Sequence, residues 1–252
     1  MPLDEIIESS LGMFHRCDLH IHTKFSRDFA NKRHTFKDII NKCLEKRLDV
    51  IAITDHNTVG NIGGLRELGK KNNVSVLPGV EVTVRDDKTG IHVLGIFDEA
   101  VDRIEINDLL HRIGIPEDGR GREEVVTDCY LDKVSAEIRS LNGLVVAAHA
   151  DTTNGVIKDT KIDSVEAGKI SRLFDALEIT DFSTREHFDV SNPTYGVRIP
   201  CIVSSDAHSL IEIGTSITLL KMDEDSVEGI KQALVSEIRL EKDKKTLRDY
   251  YW

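Results

Sequence analysis

Aromatic residues are scarce in this chain, 5% of 252 residues with a single Trp, so Ile, Leu and Val must fill whatever core forms. Cysteine is sparse too. Cys17, Cys43, Cys129 and Cys201 are widely spaced and make no C-x-x-C pair. In a chain of this size that argues against a disulfide framework and for buried thiols in a reducing cytoplasm, the expected location. No apolar run approaches the ~18 residues a membrane helix needs. The opening Met-Pro-Leu-Asp-Glu lacks the basic region of a secretory leader. Positive charge is in deficit, 33 Lys and Arg against 44 Asp and Glu, for a formal charge of −11. That balance disfavours broad adhesion to nucleic acid, but an anionic substrate stays open because bound divalent ions reverse the sign of a site locally.

What the chain does have is histidine in a pattern. Six of its ten histidines adjoin short apolar runs, most with an acid close by: Asp18-Leu19-His20-Ile21-His22-Thr23, Thr54-Asp55-His56, Ile91-His92-Val93, Ala147-Ala148-His149 and Ser205-Asp206-Ala207-His208, with Gly79-Val80-Glu81 among them. Imidazoles and carboxylates gathered from several strand ends are what a cluster of divalent metals needs. Strand side chains alternate between faces, so His20 and His22 project together, as do Asp206 and His208. Asp55 and His56 are adjacent, so one of them faces the metals. His56 is the expected ligand, and Asp55 its supporting or proton-handling neighbour, the candidate catalytic residue.

Length and composition fit one α/β domain over residues 1–252. Strand and helix patterns alternate repeatedly, which predicts a mainly parallel sheet with crossover helices. Thr35 reads as an N-cap for a helix to Arg47. A strand over Val74–Leu77 should deliver Glu81 after a break at Pro78-Gly79. Residues 101–127 are the least periodic and read as a loop or insertion over the site. Further helices are expected around Leu65–Lys71, Asp128–Leu141 and Val227–Val235.

The motifs Asp18-x-His20-x-His22, Thr54-Asp55-His56, Gly79-x-Glu81, Ala148-His149 and Ser205-Asp206-x-His208 together resemble the PHP (polymerase and histidinol phosphatase) family, in order along the chain. The resemblance implies a distorted seven-stranded (β/α) barrel holding two or three divalent ions, Mn, Zn or Fe. It also implies hydrolysis of phosphate esters. Carried over position by position, the ligands are His20, His22, Asp28, His56, Glu81, His92, His149, Asp206 and His208. The later segments also look like the PHP module found ahead of AAA-like ATPase regions. The chain has no Walker G-x-x-x-x-G-K-[ST], so such an ATPase would be a separate partner polypeptide.

The chemistry expected is in-line attack of a metal-bound hydroxide on a phosphorus ester, in a nuclease or nucleotide phosphatase. Lys24 and Arg185 are the candidate phosphate contacts, with Arg120 and Arg122 flanking Gly121 and His187 as a possible proton donor. Three rivals remain: a phosphatase of a small metabolite such as histidinol phosphate, a non-catalytic scaffold for a partner ATPase or polymerase, and a metal-dependent C–N hydrolase. A scaffold should have lost ligands. A C–N hydrolase usually needs a metal-bridging lysine, and no matching Lys stands at a strand end.

Overall fold

The first strand shows how the pattern becomes geometry. In the computed structural model, which describes residues 14–86, 90–157, 162–188, 193–236 and 238–242, β1 (Phe14–Ile21) pairs in parallel with β2 (Val50–Ile53). Asp18 lies opposite Ile51 but Ile21 opposite Ile53, so β1 carries one residue more than its partner over that interval. Such a bulge breaks the alternation of faces. Cys17 and Leu19 pack in the core that also holds Val50 and Ala52, whereas Ile21 packs in a second core with Ile39, Ile40 and Cys43. His20 and His22 are thereby both turned to the open end of the barrel. The leader reading of the opening residues falls outside the described part.

Strands β3 (Ser75–Arg85), β4 (Ile91–Ile96), β5 (Val126–Tyr130), β6 (Leu144–Ala147), β7 (Ala176–Glu178), β8 (Cys201–Ile202), β9 (Ser216–Lys221) and β10 (Ile238–Lys242) complete the sheet. Its order is β10-β9-β1-β2-β3-β4-β6-β7-β8, with β5 on β3. The sheet curls into a nearly closed barrel. Beyond β8, Ala207 accepts from His22 N–H and donates to His20 O, and Thr218 Oγ1 on β9 bonds both Val203 N–H and Val203 O. The ten strands exceed the seven expected because β5, β9 and β10 are added to the curved path from β1 to β8.

Seven helices accompany the strands among the described residues: α1 (Phe36–Lys46), α2 (Gly63–Lys71), α3 (Arg103–Arg112), α4 (Leu131–Ser140), α5 (Ser164–Leu173), α6 (Ser183–Phe188) and α7 (Val227–Leu234). Thr35 caps α1, as its sequence predicts, and the structure adds a reciprocal box with Asp38. Val227, Ile230, Ala233 and Leu234 of α7 pack into the barrel core, and Lys231 bonds Asn142 O just ahead of β6. Helix α7 therefore plugs the end opposite the histidines.

Two expectations are corrected. Residues 101–127 are largely ordered secondary structure: α3 has a capping box of Asp102 and Glu105 and buries Ile106, Leu109 and Leu110, a 3₁₀ turn spans Glu117–Gly119, and β5 begins at Val126. Ile104, apolar but 67% exposed, blurs the helical period there. And β3 runs through Pro78-Gly79 without a break. Pro78 lies opposite the last residue of β2, where its missing N–H falls at the end of a ladder. At Gly79 a Cβ would stand 3.0 Å from both Gly95 O and Ile53 O, so only glycine lets the three strands close up.

Candidate metal centre

Parallel strands deliver residues from their C-terminal ends, but β4 runs antiparallel to both β3 and β6. His92 is the second residue of β4, so the start of this reversed strand lies at the same open end as the others. His149 and Asp206 leave their strands in left-handed backbone, φ 29° and 48°, as does Asn57 beside His56, φ 49°. Non-glycine residues held this way concentrate at functional sites.

The nine residues expected as ligands come together around Glu81, which is 1% exposed. Its Oε2 lies 3.3 Å from His20 Nε2, 3.2 Å from His22 Nε2 and 2.9 Å from His56 Nδ1. Its Oε1 lies 2.9 Å from His92 Nδ1 and 3.3 Å from His149 Nε2. Asp206 Oδ1 stands 3.3 and 3.4 Å from His20 and His22 Nε2. A third set adjoins these: Asp28 Oδ2 is 3.1 Å from His56 Nε2 and 3.0 Å from His208 Nε2, and the two nitrogens are 3.4 Å apart.

These donors fit divalent cations. Ligands about 2.0–2.2 Å from one ion stand roughly 3–3.5 Å from each other, the separations found here. The buried atoms Glu81 Oε2, Asp206 Oδ1 and His56 Nδ1 make no hydrogen bond, although burying a polar atom unsatisfied is costly. A cation would satisfy all three. The donors fall into overlapping sets: His20, His22, Glu81 and Asp206; Glu81, His92 and His149; and His56 and His208, which group with His22 and stand 3.0–3.4 Å from Asp28 and each other.

The outward nitrogens of four rings are held by fixed partners. His20 Nδ1–H donates to Glu178 Oε2 at 2.9 Å, and the same oxygen accepts His149 N–H at 2.9 Å. His22 Nδ1–H donates to Ser26 Oγ, His149 Nδ1–H to Thr152 Oγ1 and His208 Nδ1–H to Asp206 O. In each case Nε2 is left facing the centre. Sequence reading missed Glu178, Ser26 and Thr152. The one available signal was an acid closing the apolar strand Leu177-Glu178. Replacing Glu178 by Gln keeps an acceptor but removes the charge behind His20. Cation affinity is expected to fall about 10–100-fold with the fold intact. Calorimetric titration checks this, and an unchanged affinity would remove Glu178 from the centre.

Charges are tightly coupled. Burial opposes a proton on His20, but Glu178, Asp206 and Glu81 outweigh it and raise its pKa well above the ordinary range. Burial also opposes charge on His56, yet Glu81 and Asp28 lift it to about 10. In return Glu81 stays ionised despite burial, held well below the usual carboxylate range by His20 and His56. Cations must therefore displace protons from these rings. Their affinity is expected to rise with pH through neutrality, with proton release visible as a dependence of binding heat on buffer ionisation enthalpy. A pH-independent affinity would contradict this.

Several expected site residues lie elsewhere. Asp55 stands behind the donor ring; its carboxylate accepts from Thr23 N–H, Thr23 Oγ1, Ser26 N–H and Ser26 Oγ at 2.7–3.0 Å, which fits the supporting half of its expected role. Lys24 Nζ stands over the rings of Phe25 and Phe36. Arg185 lies on α6 and does not line the cavity, and neither do His187, Arg120 or Arg122. Proximity to a strand end in sequence gave no direction for these long side chains. The cavity, about 300 Å³, is walled by six of the nine donors (His56, Glu81, His92, His149, Asp206 and His208) together with Glu123, Thr152, Asn154 and Thr180, with no Lys or Arg among its described lining residues.

Barrel and donor ring define the class: an α/β barrel whose open end is built to bind divalent cations. The chain belongs to the PHP family, whose domain model matches residues 18–188, followed by a PHP-associated model over 197–239. It is similar to the phosphoribosyl 1,2-cyclic phosphate 1,2-diphosphodiesterase of Eggerthella lenta, 31% identical over 81 residues, 31% of this chain and 29% of that protein. It is also similar to the 5'-3' exoribonuclease of Haemophilus influenzae, 24% identical over 121 residues, 41% of this chain and 43% of that one. The lesion-specific endonuclease EndoQ of Pyrococcus furiosus shares the fold, with a TM-score of 0.65 at 19% identity over 90% of this chain and 57% of that one. The matched stretches thus span less than half of these two curated relatives. No helix among the described residues is long and apolar enough to cross a membrane.

Proposed function

We propose that the protein is a metal-dependent phosphoesterase acting on phosphate esters of nucleotides or short nucleic acids. The observation that carries this is Glu81, whose two oxygens serve two donor sets side by side. Divalent ions held there supply Lewis acidity at a phosphoryl oxygen and lower the pKa of water towards about 7. The chain's own residues set the geometry. Glu178, Ser26 and Thr152 fix the rings, and the backbone turns at His149 and Asp206 aim their side chains inward. Thr152, Asn154 and Thr180 line the rest of the cavity with uncharged groups, where the remainder of a substrate would lie. A filled donor ring supports catalysis over a scaffold role, and the cyclic phosphodiesterase and exoribonuclease relatives support a phosphorus ester as substrate.

A second reading, a phosphatase of a small phosphorylated metabolite such as histidinol phosphate, is favoured by the absence of Lys and Arg from the described cavity lining and by the −11 charge. A polynucleotide usually meets a basic groove. The test is a panel of nucleotides, oligonucleotides, sugar phosphates and histidinol phosphate, assayed with the chain loaded with Mn or Zn. Mononucleotide release identifies an exonuclease, and phosphate release from small esters identifies a phosphatase. Cation-loaded protein inert towards every ester would overturn both.

A further inference from the structure

Glu123 is an acid that neither the sequence pattern nor the family resemblance assigns. It follows the 3₁₀ turn, where the chain passes the mouth of the cavity, and its half-exposed carboxylate forms part of the wall. One of its oxygens is 3.7 Å from His92 Nε2. A Glu123 oxygen also lies within 4.8 Å of donor atoms of Asp28 and His56. The segment that carries it is pinned to the centre: Gly121 N–H donates to His56 O at 2.9 Å, Asn57 Nδ2 to Arg122 O at 2.8 Å and Val125 O at 2.7 Å, and Thr83 Oγ1 to Glu123 O at 2.7 Å.

Asp28, His56 and His208 crowd one another at 3.0–3.4 Å, so they cover one side of a cation and leave the other open. Ligands on opposite sides of an ion with bonds of about 2.1 Å stand roughly 4.2 Å apart. Glu123 already stands within 4.8 Å of the donor atoms of Asp28 and His56, close to that span. We propose that Glu123 is a tenth donor, which completes from the opposite wall the coordination of the cation faced by Asp28, His56 and His208. Its exposure makes it the exchangeable member of the set, placed where a phosphoryl oxygen of a substrate would take over. This rests on the cavity holding divalent cations, as in the function proposed above, and not on the identity of the substrate.

The test is titration of the full chain with Mn(II), read from the signal of the free ion by electron paramagnetic resonance. Glu123→Ala should weaken the loosest class of bound ion by about 10-fold or more and leave the tighter classes unchanged, while Glu123→Asp, one methylene shorter, should lose less. Circular dichroism of each variant reports the fold. Titration curves of Glu123→Ala that superimpose on wild type would overturn the proposal alone, as would an equal loss from every class in a folded variant. A wild-type chain that takes up neither Mn(II) nor, in a parallel titration, Zn(II) or Fe(II) would sink this proposal and the functional reading together.

Discussion

Glu81→Ala is expected to empty two cation positions at once and to lower turnover by at least about a thousandfold. Lewis-acid stabilisation of a phosphoryl transition state is worth several kcal/mol, and every 1.36 kcal/mol is a factor of ten in rate. Among the described residues no other carboxylate touches five imidazoles; Asp206 touches His20, His22 and His208, and Asp28 touches His56 and His208. Loss of His208 should therefore cost one position where loss of Glu81 costs two. Elemental analysis of the purified variant, with phosphate release measured in parallel, checks both numbers. Full turnover in a variant without bound metal would refute the centre as the seat of catalysis.

Asp55→Ala is expected to be the most destabilising of these changes, by about 3–5 kcal/mol, since it strands two buried backbone N–H groups and two hydroxyls. Domains are stable by only about 5–15 kcal/mol, so the loss is a large share of the whole. Ser26 links the damage to the centre. Its hydroxyl donates to Asp55, accepts His56 N–H and accepts from His22 Nδ1. Denaturant unfolding should show a lower midpoint, and metal affinity should fall with it. A variant of wild-type stability with lost turnover would instead return Asp55 to the role of proton carrier.

Much of the centre was legible because its residues obey local rules. The i, i+2 placement of His20 and His22 survives in the structure, although a bulge just ahead of His20 resets which face they share; Asp206 and His208 instead lie beyond β8 and are aimed by a turn with Asp206 in left-handed backbone, not by strand alternation. The cap at Thr35 and the helix after it were legible for the same reason, since Thr35 directly precedes apolar positions at helical spacing. What was not legible depends on distant neighbours. The anchoring of Asp55 by Thr23 and Ser26, the hold of Glu178 on His20 across 158 residues and the arrival of His92 on a reversed strand have no local signature. Lys24 and Arg185 were read from position alone, and long cationic side chains settle where aromatic rings or local partners take them.

Among the described residues β8 and β9 share no backbone ladder: the seam closes through the Thr218 hydroxyl at Val203 and the two backbone bonds of Ala207 to β1, where other neighbouring strands share longer ladders. A join so thinly bonded is the natural place for partial opening, and the turn bearing Asp206 and His208 lies just beyond it. His20 on one flank of that seam and Asp206 on the other would both hold a cation bound there, which would tie the two flanks together. Metal loading would then fasten the cylinder, and proteolysis would be slower with metal than without it.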